Sequence, residues 1–378
     1  SSLLQSIREA GKTNRDIEKK MEEYCPYMQE MTAEALRIFE KASLNMAWYN
    51  RLVENREVIA EQLDAMAYIM EDCAKKQKNI TEECRSNLQD IAYRARERGI
   101  KVIDEQLWEK ENGRWQLVMK VMVKDGCVTT RELTKAVAGA LNRRMIPEKD
   151  TKTLIGKGVN LYTYEEEPRF QAIYGVARMV KDGAAVSGDN FSFLEPESGK
   201  MVMCLSDGMG SGSLACKESE MVIELVEKFL EAGFDVETAA RMMNSAMVMK
   251  GQEDLFSTVD ISELDLYDGT CRFYKIGAAA TFIRRNGIVE CLISTSLPVG
   301  VSYKLDMEKS EKDLYNGDFL VMVSDGVLEY LHVPNPEETM QEIIESIETN
   351  NATILAKRIL ERVLLFTGGK AADDMTVL

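Results

Sequence analysis

The sequence Ser206-Asp207-Gly208-Met209-Gly210-Ser211-Gly212 joins an apolar run at 200–206 to a helical pattern at about 213–232. The apolar run predicts a strand, and the closely spaced glycines predict a tight turn between this strand and the helix. Asp207 therefore ends a strand immediately before a flexible turn. Gly208 lets a backbone carbonyl approach a cation, and the two later glycines free the turn that leads into the helix.

Three further acidic motifs lie at predicted strand ends. They are Asp189 before a strand at 190–195, Asp325 at the end of a strand at 318–323, and Asp373-Asp374 at the start of the last strand. Strand ends can converge on one rim of a sandwich, where neighbouring carboxylates raise one another's pKa. Divalent cations relieve this repulsion, because carboxylate and carbonyl oxygens suit Mg²⁺ and Mn²⁺. A single Asp-Gly pair is typical of an ordinary turn, but the four motifs together indicate a metal site.

The region around these motifs has alternating strand and helix patterns. Apolar runs predict strands at 170–179, 255–267, 270–276, 279–285 and 288–293, and helical patterns occur at 236–249, 337–348 and 351–366. The pairs Asp268-Gly269 and Asn286-Gly287 are hairpin signals. Strands grouped with blocks of helices predict an α+β protein, in which an α/β sandwich of two antiparallel sheets is flanked by helices.

Two other regions precede the sandwich, which we assign to 169–378 with its last strand cut short at Leu378. Over 1–78, apolar or small residues alternate in steps of three and four, which predicts a long helix with a coiled-coil seam. The seam needs a partner, either a second copy in a homodimer or the helical layer of its own domain. Residues 79–168 predict a small α/β unit, which we interpret as a regulatory or linking region.

The composition narrows the class of protein. The net charge of −16 argues against nucleic acid or an anionic membrane as a partner, since both reward a basic surface. The eight cysteines show no CxxC pair and no zinc-ligand spacing, which favours free thiols in the cytosol. No apolar run reaches the roughly 18 residues needed to cross a bilayer, and a membrane segment upstream stays compatible with the sequence.

Other chemistries do not fit the spacing of the residues. No cysteine is followed by five residues and an arginine, as a cysteine phosphatase requires, and no GxxxxGK[ST] phosphate loop is present. The glycines after Asp207 lack the third glycine of a dinucleotide loop, and Asp207 would repel a pyrophosphate. The only histidine, His332, is interpreted as a loop or surface residue rather than a catalytic acid.

The order Gly-Asp-x-x-Ser, Ser-Asp-Gly-Met-Gly-x-Gly, Ser-Asp-Gly and Asp-Asp-Met-Thr resembles the PPM family of metal-dependent serine/threonine protein phosphatases, and within it the bacterial branch that acts in sporulation. Three other stretches match as well, namely Leu255-Phe256-Ser257-Thr258-Val259-Asp260, Lys275-Ile276-Gly277 and Leu297-Pro298-Val299-Gly300. The resemblance covers 169–378.

This resemblance implies a site for two divalent metal ions, Mn²⁺ or Mg²⁺, and no covalent intermediate. Asp207 would bridge both ions, Gly208 would add its carbonyl through a water, and Asp189 would assist one ion. Asp325 and one residue of the Asp373-Asp374 pair would hold the other ion. The family pattern favours the first of that pair, and the choice stays open.

The resemblance also implies a substrate and a location. The substrate would be a phosphoserine protein, a phosphorylated anti-anti-sigma factor that controls a sporulation sigma factor. The full-length protein would be anchored at the division septum through upstream membrane helices, with this part in the cytosol and in reach of a cell-division protein. The alternatives are a degenerate phosphatase that serves as a phosphoprotein-binding scaffold and a purely structural coiled-coil protein.

The two helices that follow Asp207 are candidates for regulation. They begin at the predicted metal-binding turn, so a shift in them would move Asp207 and Gly208. Their apolar face includes Met242 and Met243. We interpret these helices as a switch packed against the N-terminal helical region, whereas a plain core role is the alternative.

Overall fold

The computed structural model describes residues 82–109, 113–148, 151–196, 199–210, 212–249, 256–302, 304–366 and 368–378. The long helix expected over 1–78, its heptad seam and the homodimer that it would form lie outside these residues. No helix in the described ranges combines the length and the apolar character that a membrane span needs.

The small α/β unit is a four-stranded antiparallel sheet against which two helices pack. In chain order it contains α1 (Glu82–Glu97), β1 (Ile100–Glu109), β2 (Trp115–Val123), β3 (Val128–Thr129), α2 (Thr130–Leu141), β4 (Met145–Pro147), β5 (Leu154–Ile155) and β6 (Asn160–Glu166). The sheet order is β1-β2-β6-β4, and β3 pairs separately with β5. In β2 alternate residues are buried, as the period of a half-buried strand requires.

The remaining residues form two antiparallel sheets. The first has the order β14-β11-β10-β9-β8. It is built from β8 (Asp189–Leu194), β9 (Lys200–Gly208), β10 (Ser257–Asp265), β11 (Thr270–Ile276) and β14 (Glu308–Asp313). The second sheet contains β7 (Ala177–Met179), β12 (Thr281–Arg285), β13 (Ile288–Leu292), β15 (Phe319–Met322) and β16 (Met375–Val377). In this sheet β13-β12-β15 continues into β16-β7 through a bridge between Val323 and Val377.

Helices cover the outer face of each sheet. They are α3 (Ser213–Glu231) and α4 (Val236–Met249) on the first sheet, with α5 (Asp325–Glu329), α6 (Pro336–Glu345) and α7 (Ala352–Phe366) on the second. Separate apolar clusters fill the space between the sheets, one around Leu205 and Met322 and another around Phe273 and Ile283. The predicted α/β sandwich of two antiparallel sheets flanked by helices is confirmed.

Some elements differ from the prediction for identifiable reasons. The strand expected over 318–323 ends at Met322, so Asp325 begins the short helix α5 instead of ending a strand. Strand β14 was missed because it is an edge strand of exposed polar residues with no apolar alternation. Strand β6 was missed because its inward side chains are Tyr162 and Tyr164, whereas Leu161 in the same strand is 63% exposed.

A buried ion pair of the first sheet is linked to the second sheet through Thr281. Lys275 of β11 donates from Nζ to Asp260 Oδ2 of β10 at 2.6 Å and to Thr281 Oγ1 of β12 at 2.8 Å. The Lys275 and Asp260 side chains are only 5% and 2% exposed. Thr281 in turn donates to Asp260 at 2.6 Å, which closes a three-membered network. The network crosses between the sheets, so each member is held by a neighbour from another strand.

The small α/β unit contacts the sandwich at the turn between β10 and β11. Arg114 Nη2 donates to both carboxylate oxygens of Asp265, at 3.0 and 2.8 Å. Its guanidinium lies 3.7 Å from the ring centroid of Tyr267, whose hydroxyl donates to the Glu166 carbonyl at 2.9 Å. This contact falls at the end of β10 that is opposite to Ser257.

The buried ion pair gives a stability prediction. Lys275→Met should lower the free energy of unfolding by about 3–5 kcal/mol, because it leaves the Asp260 carboxylate buried without its charge partner. The double variant with Asp260→Leu should recover at least half of this loss. Urea denaturation of the three proteins measures the effect, and a single variant within about 1 kcal/mol of the parent would contradict it.

Candidate active site

Two of the four acidic motifs meet across one strand ladder. Asp189, the first residue of β8, is the direct register partner of Asp207 near the end of β9. The Gly208 amide also donates to the Gly188 carbonyl at 3.3 Å. Directly opposite residues in an antiparallel pair have Cβ atoms about 5 Å apart. The two carboxylates therefore emerge side by side at one end of the first sheet.

The other two motifs are fastened to each other at the second sheet. The Ser324 amide donates to the Thr376 carbonyl at 3.0 Å, and the Thr376 amide donates to Ser324 Oγ at 2.9 Å. A Cβ on Gly326 would overlap the Asp374 carbonyl, so only glycine permits this approach. The serine and glycine on either side of Asp325 thus bring it beside the Asp373-Asp374 pair.

Asp207 lies between the two halves of the site. Burial, a side-chain hydrogen bond with Asp325 and the charges of Asp189 and Asp325 raise the pKa of Asp207 to about 11. Each of these causes except burial is another carboxylate within reach. The four motifs therefore lie close together, with Asp207 next to both Asp189 and Asp325.

Asp189 is fully buried, and neither of its carboxylate oxygens has a hydrogen-bond partner among the described residues. Burial raises the pKa of Asp189, and the charges of Asp325 and Asp374 raise it further. The hydroxyls of Thr376 and Ser324 lie near enough to oppose this shift, yet neither makes a hydrogen bond of good geometry to it. A buried carboxylate without a partner is costly unless a cation or a proton joins it.

Main-chain contacts, and not its side chain, hold Asp207 in place. Ser257 Oγ donates to the Asp207 carbonyl at 2.7 Å, and the Asp207 amide donates to Thr258 Oγ1 at 3.3 Å. On the other side, a Cβ on Gly208 would overlap the Ala215 carbonyl of α3. The missing side chain at position 208 thus serves the approach of α3 as well as the exposure of a carbonyl.

The pair Asp373-Asp374 divides into two environments. Asp374 is 4% exposed, and its two oxygens accept the backbone amides of Lys181 at 2.9 Å and Gly188 at 2.7 Å. Asp373 is more exposed, and its Oδ1 accepts the neighbouring Asp374 amide at 3.0 Å and lies 3.5 Å from Lys181 Nζ. Asp374 is therefore committed to the main chain, whereas Asp373 has a carboxylate that a cation can reach.

Glu329 is a further acidic residue at the site that the sequence analysis missed. Partial burial and the charges of Asp325 and Asp373 raise the pKa of Glu329. It follows Asp325 by four residues on α5, and this spacing places two side chains on one helix face. The signal was present in the sequence, but Asp325 was expected to end a strand.

Helix α3 is tied directly to the motif around Asp189. Ser219 donates from Oγ to the Gly188 carbonyl and accepts a hydrogen bond from Asn190 Nδ2 at 2.8 Å. The two methionines singled out earlier lie in α4, where Met242 is 7% exposed and Met243 is fully buried. Met243 packs in the apolar cluster that joins α3 and α4 to the first sheet.

The carboxylate oxygens of the site are the kind of ligand that hard divalent cations prefer. In the described part of the chain, no three His, Cys, Asp or Glu side chains are arranged to hold a metal ion by themselves. Magnesium-type sites use one or two carboxylates and keep several waters, so a small group of carboxylates meets this requirement. The oxygens of Asp189 that lack a partner are the observation in favour of this fit.

Family models match both parts of the chain. The model for stage II sporulation protein E matches 197–378, and the model for the regulatory domain of the same protein matches 1–143. Both parts of the chain are therefore similar to stage II sporulation protein E. The sandwich is a PP2C-type serine phosphatase domain, so the prediction of an enzyme of this class is confirmed.

Individual relatives of the family agree. Stage II sporulation protein E of Bacillus subtilis (strain 168) is 26% identical over 377 residues, which is 100% of this chain and 46% of the relative. Phosphoserine phosphatase RsbX of the same organism is 35% identical over 86 residues, or 23% of this chain and 41% of the relative. The chain spans about half the length of the curated relatives that it matches.

A solved structure of the family shows the same fold. It contains the PP2C phosphatase domain and a fragment of the regulatory domain of SpoIIE from Bacillus subtilis, and it aligns with a TM-score of 0.60 at 28% identity. The match covers 87% of this chain and 97% of that structure.

The raised pKa of Asp207 predicts a pH-dependent stability in metal-free protein. Between pH 5 and pH 8 Asp207 keeps its proton when folded and loses it when unfolded, so the free energy of unfolding falls as pH rises. In EDTA, Asp207→Asn should be more stable than the parent, by a margin that grows by up to about 1.4 kcal/mol per pH unit. Urea denaturation at pH 5, 6, 7 and 8 measures this margin, and a constant or shrinking margin would contradict the expectation.

Proposed function

We propose that this chain removes phosphate from a phosphoserine protein in a reaction that depends on two divalent metal ions, Mn²⁺ or Mg²⁺. The observation that carries the proposal is the buried Asp189 carboxylate without a partner, beside Asp207, within a PP2C fold. Such a pair is stable only when protons or cations offset its negative charge. Bound divalent cations would supply the Lewis acidity that makes water a nucleophile at neutral pH.

Each acidic residue has its own task in this proposal. Asp207 lies next to both Asp189 and Asp325, so Asp207, together with the Gly208 carbonyl, would hold ions in either half of the site. Asp189 would hold the ion at the first sheet, and Asp325 and Asp373 would hold the ion at the second sheet. Asp374 is not a ligand, because its oxygens already accept two backbone amides. Together these side chains would hold the ions, whose Lewis acidity would make a bound water the nucleophile.

The substrate and partners rest on the family alone. Names of relatives connect this family with sporulation and with phosphoserine. We therefore assign a phosphorylated anti-anti-sigma factor as the substrate, with sporulation sigma-factor control as its role. The N-terminal seam would support a homodimer, and upstream membrane helices would anchor the whole protein at the division septum, with this part cytosolic and near a cell-division protein.

The function is tested by phosphate release. With Mn²⁺, the chain should release inorganic phosphate from a phosphoserine protein, and EDTA should abolish this. Asp207→Asn should lower the turnover number at least about 100-fold, because a central charge of the site is lost. If the parent binds the phosphoprotein but shows no metal-dependent release, the alternative of a degenerate phosphatase acting as a scaffold is correct.

A matched pair of variants tests the division between Asp373 and Asp374 in the same assay. Asp373→Asn should remove turnover and the rise in melting temperature caused by Mn²⁺, while the metal-free stability stays within about 0.5 kcal/mol. Asp374→Asn should instead lower the metal-free stability by about 1–3 kcal/mol, since one backbone amide loses its acceptor. The reverse pattern would make Asp374 the ligand.

Regulation through α3 and α4 is a second part of the proposal. Gly208 contacts Ala215, and Ser219 holds Gly188, so a shift of α3 would displace both halves of the Asp189–Asp207 pair. Met243 packs where α4 supports α3. Movement of these helices by the N-terminal region would complete or disable the site.

Conservative variants separate this switch from plain core packing. Met242→Leu and Met243→Leu preserve volume and should cost less than about 1.5 kcal/mol of stability. They should nevertheless shift the Mn²⁺ concentration for half-maximal turnover severalfold. Met340→Leu is the matched control, because Met340 is equally buried in α6 on the opposite sheet. Equal metal requirements in all three variants would refute the switch.

A further inference from the structure

The loop between β7 and β8 is fastened by its backbone to the residues before β16. The Lys181 amide donates to Asp374 Oδ1 at 2.9 Å, and the Asp182 amide donates to the Ala371 carbonyl at 2.8 Å. At the other end of the loop, the Gly188 amide donates to Asp374 Oδ2 at 2.7 Å. The position of Lys181 is therefore fixed without any contribution from its side chain.

The Lys181 side chain extends from this fixed point to the rim of the site. Its Nζ lies 3.5 Å from Asp373 Oδ1, and the side chain is 36% exposed. In the described part of the chain, this is the one ion pair made by the site carboxylates Asp189, Asp207, Asp325, Glu329, Asp373 and Asp374. Arg178 lies nearby but donates to the main-chain carbonyl of Asp189, so its guanidinium supports the backbone instead.

A metal ion and the Lys181 ammonium would therefore compete for the Asp373 carboxylate. It is the more exposed carboxylate of its pair, and among the described residues it is also the ion-pair partner of the Lys181 ammonium. An ion pair of 3.5 Å at a partly exposed position is weak, so a divalent cation would displace the lysine readily. The freed ammonium would then lie at the mouth of the site, where a phosphate dianion enters.

We propose that Lys181 is an exchangeable counter-ion, which pairs with Asp373 when the site holds no metal and with the substrate phosphate when it does. This inference rests on the proposed function and adds to it the group that contacts the phosphate. An ammonium on a flexible stem suits the exchange, because it carries three donors that can turn from one oxygen to another. The same exchange means that Lys181 competes with metal and assists substrate.

The two roles give effects of opposite sign in one variant. Lys181→Gln should bind Mn²⁺ alone about two- to fivefold more tightly, because the competitor for Asp373 is gone. The Mn²⁺-loaded variant should be inhibited by inorganic phosphate about 10- to 100-fold more weakly, with a similar loss of kcat/KM on p-nitrophenyl phosphate. Lys181→Arg keeps the charge and should restore the Mn²⁺ affinity of the parent and part of the phosphate inhibition.

Isothermal titration with Mn²⁺ and steady-state kinetics with p-nitrophenyl phosphate provide the two measurements. Lys217→Gln is the control, since it removes an exposed lysine of α3 in the same neighbourhood without touching the carboxylates. It should change both constants less than about twofold. The backbone contacts of the loop predict that all variants melt within a few degrees of the parent.

The outcomes separate this inference from the proposed function. An active parent with Lys181→Gln unchanged in either Mn²⁺ affinity or phosphate inhibition would overturn the exchange and leave the phosphatase in place. A parent that binds Mn²⁺ but lacks turnover would overturn the function, and the calorimetric comparison would still decide whether Lys181 competes for Asp373. A parent that binds no Mn²⁺ would overturn both.

Discussion

Carboxylates that repel one another are kept together here mainly by contacts of the main chain beside them. Asp207 is held through its own amide and carbonyl, and Asp325 through the serine and glycine beside it. The two oxygens of the buried Asp189 carboxylate have no hydrogen-bond partner among the described residues. The fold places mutually repelling carboxylates at one rim of the sandwich, and bound positive charge relieves this repulsion.

The architecture explains why the sandwich tolerates the repulsion between these carboxylates. Each sheet contributes two of the motifs, and the sheets are joined elsewhere by apolar clusters and by the hydrogen bonds of Lys275 and Asp260 to Thr281. The cost of gathering like charges is thus met by a sandwich whose cohesion does not depend on them. The same separation lets one acidic residue, Asp374, become a purely structural acceptor while its neighbour Asp373 stays available.

The sequence predicted the sandwich and the four motifs because strand periodicity and Asp-Gly turns are local signals. It left Asp373 and Asp374 unresolved, since only the long-range amides of Lys181 and Gly188 distinguish them. Glu329 was missed because Asp325 was expected to end a strand, and a one-turn helix is too short to show a helical pattern of apolar residues. Strand β6 was hidden by aromatic residues that face inward, where the tertiary packing overrides the apolar pattern.

The close contact at Gly208 suggests a way in which a relative of this enzyme could lose its activity during evolution. A copy of this chain could retain every acidic residue of the site and still lose its chemistry through one added methyl group, because Ala at 208 would push α3 away from the end of β9. A sequence comparison that checks only the acidic residues would classify that copy as an active enzyme. In this architecture the difference between an enzyme and its inactive descendant can reside in a residue that has no functional group at all.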